Sequence, residues 1–208
     1  MLLSLSKLAK KHRMNIEGVI HAGAHLGEEA DDYQALGIKN VWWIEANPMV
    51  IPKLKEKLDP YGHHLIEALL AEREGEKMLF HITNHNGMSS SVYEFGTHKE
   101  SSPEMVFRYH RELESRTLDS LAAEYGIYGC NFLNMDLQGS EVPVLRGATH
   151  LLKDVDYIYT EVNREEVYIG IELLPEMEKL LAKSGFYRAE LSMTDAGWGD
   201  ALFIKRKT

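Results

Sequence analysis

A glycine-rich turn and three carboxylates hold most of the chemistry in this 208-residue sequence. His21-Ala22-Gly23-Ala24-His25-Leu26-Gly27 follows a short apolar run, Gly18 to Ala22, and leads into a helix-like stretch. Glycines at a strand-to-helix turn let a ligand approach the backbone closely. Glu45 closes the next apolar run, eighteen residues beyond Gly27. An acid near that offset can accept hydrogen bonds from both hydroxyls of an adenosine ribose, in a dinucleotide or in S-adenosylmethionine. A dinucleotide turn reads G-x-G-x-x-G. Here Gly23 and Gly27 are four apart and the third glycine is missing, so an adenosine-plus-amino-acid ligand fits better. A nicotinamide-dependent oxidoreductase is the alternative enzyme reading. Asp136 and Glu161 each close a further apolar run, where a carboxylate can take a proton from a reacting hydroxyl.

Such residues need a scaffold, and the pattern around them supplies one. Strands are expected at Gly18–Ala22, 40–44, 64–70, 77–83, 131–135, 157–162, 186–191 and 201–205. Helices are expected at 25–36, from Pro48 to about Leu58 behind an Asn47 cap, at 117–125, at 140–152 with a break near Gly147, and at 173–183. This alternation predicts an α/β fold with a mostly parallel sheet, helices on both faces and a terminal antiparallel strand. The chain reads as one domain over residues 1–208. Residues 1–15 form an amphipathic N-terminal helix laid over the domain edge, and residues 84–116 form a long irregular segment of lid or substrate-loop type.

Several segments in order resemble the FkbM family of S-adenosylmethionine-dependent methyltransferases. They are VIHAGAHLGEE, VWWIEANPMVIPKLKEKL, NGMSSSVY, RTLDSLAAEYG, NFLNMDLQGSEVPVLRGATHLL and YIYTEV, spread over about Val19 to Phe186. In the most specific one, Asp136, Gly139, Glu141, Leu145, Gly147 and Ala148 match a D-x-E-G-x-E-x-x-x-L-x-G-A signature. His21 stands where the family usually has Asp, His25 where it has Asn, and Gln138 where it has Glu.

The resemblance implies a Rossmann-like class I methyltransferase sheet and a hydroxyl acceptor on a sugar, glycan or small metabolite. The candidate cofactor-binding residues are His21, Gly23, His25, Gly27, Glu45, Ala46, Leu69, Asp136 and Gln138. Asp136 and Glu161 are the candidate catalytic carboxylates. Ser89, Ser90, Ser91 and Asn163 are the candidate substrate-binding residues. A divalent cation on Asp136, Glu161 and Asn163 is less favoured, because no tight ligand spacing supports it. The departures at His21 and Gln138 keep a non-catalytic binding module as a further alternative.

His81, His85, His98 and His110 read as scattered surface histidines rather than a metal cluster. One of Trp42 and Trp43 should face the core, and Cys130 reads as an inert core thiol. The formal charge of -9 argues against nucleic acid and anionic membrane as partners. One cysteine and no signal-peptide core suggest a cytoplasmic protein, and a homo-oligomer is possible.

Overall fold

A computed structural model describes residues 2–206. The strands are β1 (Gly18–Ala22), β2 (Asn40–Glu45), β3 (His64–Glu67), β4 (Leu69–Leu70), β5 (Lys77–Thr83), β6 (Phe107–Arg116), β7 (Phe132–Met135), β8 (Tyr157–Asn163), β9 (Phe186–Met193) and β10 (Trp198–Lys205). The helices are α1 (Leu5–His12), α2 (Ala30–Ala35), α3 (Ile51–Leu58), α4 (His98–Ser101), α5 (Leu118–Tyr125), α6 (Glu141–Arg146), α7 (Leu151–Asp154) and α8 (Leu174–Lys183).

Seven strands form one sheet in the order β3-β2-β1-β7-β8-β10-β9. The first four contacts are parallel, and β10 lies antiparallel between β8 and β9. This is the mostly parallel sheet with an antiparallel end that the pattern predicts.

The strands are apolar on both sides because both faces are covered. Along β1, Val19 points into a cluster with Leu5, Leu8, Tyr33, Leu54 and Leu58, from α1, α2 and α3. Its neighbours Ile20 and Ala22 point into the opposite cluster, which α5, α6, α7 and α8 complete. The leucines of α1 are thus spent on the sheet, and its polar end is held by Lys11 and His12 on Glu190. Trp43 is the core-facing tryptophan, and Cys130 is buried with its thiol pushed up to about 12 by burial.

Four expectations are corrected. The helix expected over 25–36 begins only at Ala30, because His25 (φ 44°) and Gly27 (φ 73°) are left-handed and cannot sit in a right-handed helix. Asn47 caps a turn rather than the helix, its Oδ1 accepting from the Met49 amide at 3.0 Å, and α3 starts at Ile51. The single strand expected at 64–70 divides at Ala68, so that β3 joins the large sheet and β4 a second one. Most consequentially, 84–116 is not irregular throughout. Its last ten residues form β6, which pairs antiparallel along β5 and parallel with β4 in a three-stranded sheet. That leaves 84–106 as the lid-like segment, with only the short α4 inside it.

Candidate active site

The carboxyl ends of β1, β2, β7 and β8 and the 84–106 segment enclose a cavity of about 610 Å³. This is the usual position and size for a ligand site in an open α/β sheet.

The turn after β1 approaches β7 so closely that only glycine fits. Gly23 has φ 86°, and a Cβ there would sit 1.9 Å from the Asp136 carbonyl oxygen. Glu45 at the end of β2 is buried against this turn. The His25 amide donates to its Oε2 and the Asn47 amide to its Oε1, both at 2.7 Å. Burial pushes the Glu45 carboxyl up, and these two donors pull against that shift. Each oxygen keeps a lone pair for a ligand. Ala46 and Leu69 line the cavity beside Glu45 and share a small apolar cluster with Phe80.

The signature segment forms the opposite wall. Glu141 faces backbone rather than ligand, accepting from the Leu137 amide at 2.7 Å and the Gly139 amide at 3.1 Å. Burial, reinforced by Asp136, pushes its carboxyl up to about 7. The turn that it ties places Gln138 (φ 52°) over the carboxylates. The Gln138 side-chain amide donates to Asp136 and, at 3.3 Å, to Glu161. Its oxygen accepts from the Tyr168 hydroxyl at 2.5 Å. Burial raises Glu161 well above the usual carboxylate range, with Asp136, Glu141 and Asp200 adding to the shift. Asp136 is also raised by burial, against the hydrogen bond from Gln138.

The 84–106 segment contributes Ser89 and Ser90 to the cavity and is tied down at both ends. His25 bridges Glu28 (Nδ1, 2.7 Å) and the Asn86 carbonyl (Nε2, 3.1 Å). At the far side Gly96 and Thr97 donate to the carbonyls of Val167 and Glu166.

Of the predicted site residues, His21, Gly23, His25, Glu45, Ala46, Leu69, Ser89, Ser90, Asp136, Gln138 and Glu161 converge on this one cavity. Gly27, Ser91 and Asn163 do not line it. Gly27 packs toward Leu54 of α3. Ser91 is buried and donates to the Gln138 carbonyl at 2.7 Å, which anchors the lid. Asn163 lies behind Glu161, 3.5 Å from its Oε1.

Sequence reading missed Tyr168, Asp200 and Glu29, which also line the cavity. Asp200 was hidden inside a glycine-containing stretch that reads as a loop. It lies within β10, opposite Glu161, and accepts from the Tyr159 hydroxyl at 2.6 Å and from the Leu2 amide. An acid beside the apolar run ALFI was the available signal. The histidines are also less scattered than expected. His81 is buried with its Nδ1 2.8 Å from that of His110, and His85 and His98 line the cavity. Among the described residues no three His, Cys, Asp or Glu side chains meet as metal ligands. No helix among them is long and apolar enough to cross a membrane.

Seven carboxyl side chains line the cavity, including Glu28 and Glu104, and neither lysine nor arginine does. The site is therefore built for a guest carrying positive charge.

Comparison with known proteins gives the family and the fold. The 2-O-methyltransferase NoeI of Sinorhizobium fredii is 26% identical over 175 residues, covering 77% of this chain and 72% of NoeI. The TrmK protein of M. capricolum, solved with S-adenosylhomocysteine, superposes with a TM-score of 0.55 at 10% identity, covering all of this chain and 70% of that one. Magnesium protoporphyrin IX methyltransferase from Synechocystis PCC 6803, solved with bound S-adenosylmethionine, gives 0.52 at 10% identity, covering 96% and 74%. At such identities these two structures speak for the fold, which is the Rossmann-like fold of class I methyltransferases. The sequence profile of the methyltransferase FkbM domain matches residues 21–188. The chain belongs to the FkbM family of methyltransferases.

Proposed function

We propose that the chain transfers a methyl group from S-adenosylmethionine to a hydroxyl of a sugar, glycan or small metabolite. The observation that carries this reading is the cavity wall, with seven carboxyls and no lysine or arginine around a glycine turn and Glu45. A sulfonium ligand suits that wall, and the volume suits a nucleoside with an amino-acid arm. The 2-O-methyltransferase NoeI supports oxygen as the acceptor atom.

When bound, S-adenosylmethionine supplies a methyl group already activated for displacement. The protein must hold and align the partners and take away one proton. Glu45 would accept from the ribose hydroxyls through its free lone pairs, and Ala46 and Leu69 would cover the adenine. Asp136 would take the amino end of the methionine arm. Glu161 would take the acceptor hydroxyl's proton as the hydroxyl oxygen bonds to the methyl carbon and the carbon–sulfur bond breaks, the electron pair returning to sulfur to leave neutral S-adenosylhomocysteine. Burial raises the Glu161 carboxyl, which favours it as a base. Asp136 and Asp200 help to raise the Glu161 carboxyl, and a positive charge bound among the three would favour its ionised form. Ser89 and Ser90 contact the acceptor from the lid.

Isothermal titration with S-adenosylhomocysteine tests the first step. Binding is expected in the micromolar range, and no binding at millimolar ligand would sink the reading. In Glu45→Ala the affinity should fall by about 100-fold or more, the loss of roughly two charge-assisted hydrogen bonds at about 1.5 kcal/mol or more each. Wild-type affinity in that variant would remove the ribose assignment.

A further inference from the structure

His21 stands at the end of β1, 2% exposed, with Trp43 stacked on its ring at 4.5 Å. Its Nδ1 lies 2.9 Å from the Tyr33 hydroxyl oxygen. The Asn134 side-chain amide donates to that same oxygen at 2.7 Å, and its nitrogen lies 3.5 Å from His21 Nδ1. All three side chains are buried. An amide NH2 has only protons to give. The Tyr33 oxygen therefore accepts from Asn134 and points its own proton at His21 Nδ1. A ring nitrogen that accepts leaves the one proton of a neutral imidazole on Nε2. Running the relay backwards would turn Asn134 over. That would bury an unpaired NH2 where Asn134 Oδ1 is now the unpaired atom, and an orphaned N–H is the rarer and costlier of the two.

The Nε2 edge faces Glu29 at 3.8 Å, and both residues line the cavity. Any anionic group entering this wall finds neither lysine nor arginine, and His25 is already paired with Glu28, so a neutral donor is needed. We propose that Tyr33 and Asn134 are positioning residues that fix His21 as the Nε2–H tautomer, and that this N–H receives the carboxylate of the cofactor's amino-acid arm. The tautomer stands on the hydrogen bonds alone, and the carboxylate contact rests on the S-adenosylmethionine reading.

The donor persists across neutral pH. Burial holds the ring's pKa down at about 4, against the opposing pull of Asp136 and Glu28. Glu29, from the turn before α2, also faces the ring, and Tyr33 and Trp43 face it without charge.

Imidazole 15N NMR on the full chain tests the tautomer, with His21 assigned by its loss in His21→Gln. The expected wild-type spectrum has a pyridine-like Nδ1 and a protonated Nε2, unchanged from pH 5.5 to 8. A protonated Nδ1, or an imidazolium at pH 7, overturns the relay. The contact is tested by titrating wild type with S-adenosylhomocysteine and with its decarboxylated analogue. The analogue is expected to bind at least tenfold more weakly, and Tyr33→Phe should weaken S-adenosylhomocysteine five- to tenfold while leaving the analogue within twofold. Equal affinity of the two ligands for wild type overturns the carboxylate contact. Failure of both ligands to bind overturns the cofactor reading instead and leaves the tautomer result intact.

Discussion

The two walls of the cavity are made in different ways. The sheet wall consists of strand ends whose side chains are buried on both faces and whose polar atoms are paired inside the fold, as at Glu45 and His21. The lid wall consists of turns with left-handed residues at Asn86, Gly87 and Ser89, clasped at its ends by a few hydrogen bonds. The first wall suits a ligand that is always the same. The second can vary with the acceptor without disturbing the large sheet, because its apolar residues, such as Val92, Tyr93 and Phe95, pack into two small clusters outside the main core.

The largest effect should come from joining the two strands of the rigid wall too tightly. In Gly23→Ala the new Cβ meets the Asp136 backbone, which cannot step aside. We expect a loss of about 4 kcal/mol or no stable fold, read by urea unfolding. Gly87→Ala, in the 84–106 segment, clashes with the Nδ2 end of the Asn47 side chain, which can turn aside, and otherwise meets Val50 at ordinary contact distance. It should cost about 1 kcal/mol, chiefly for its positive φ. Equal losses in the two variants would erase the distinction between the walls.

Acid should weaken the rigid wall next. His21 is held neutral to about pH 4 in the fold, whereas an unfolded histidine protonates near pH 6.5. The unfolded chain therefore binds the extra proton first. Its contribution is a loss of stability that sets in as pH falls through about 6.5 and is complete near 4, about 3 kcal/mol in all. The difference in stability between wild type and His21→Gln should follow that window. A pH-independent difference would mean that His21 is not shielded.

The smallest effect on the fold should come from the lid serines. Ser90→Ala removes a hydroxyl that accepts from the Thr83 amide at 3.2 Å and donates to the Gly87 carbonyl at 2.6 Å. It is expected to cost about 0.5–1 kcal/mol and to change S-adenosylhomocysteine affinity by less than about twofold. It should raise the KM for the acceptor several-fold. An unchanged acceptor KM would move substrate contact elsewhere on the lid.

The same division explains what could be read in advance. The strands of the large sheet announce themselves because residues such as Val19, Ile20, Val41 and Ile44 must be apolar on both sides. Glu45 and Asp136 follow from their places at strand ends. In contrast, β6 (FRYHRELESR) buries only Ser115 and is half charged, so no hydrophobic period marks it. Its strand character comes from pairing with β5, a partner more than twenty residues away. The His21–Tyr33–Asn134 relay was illegible for a related reason. Its members come from β1, α2 and β7, and nothing in the spacing of a tyrosine on a helix says where its hydroxyl ends. Tyr168 and Asp200 reach the site through tertiary packing in the same way.

The placement of β10 has a consequence for how the molecule is made. The strand lies between β8 and β9 but leaves the ribosome after both of them. All seven residues of β8 are buried in the finished sheet, yet one of its edges stays open until roughly 35 further residues have been added. At translation rates of about 5–20 residues per second that gap lasts on the order of seconds. During this interval an apolar strand edge is available to any other chain nearby. Expression yield should therefore depend on chaperone supply and growth temperature more than the stability of the folded enzyme would suggest.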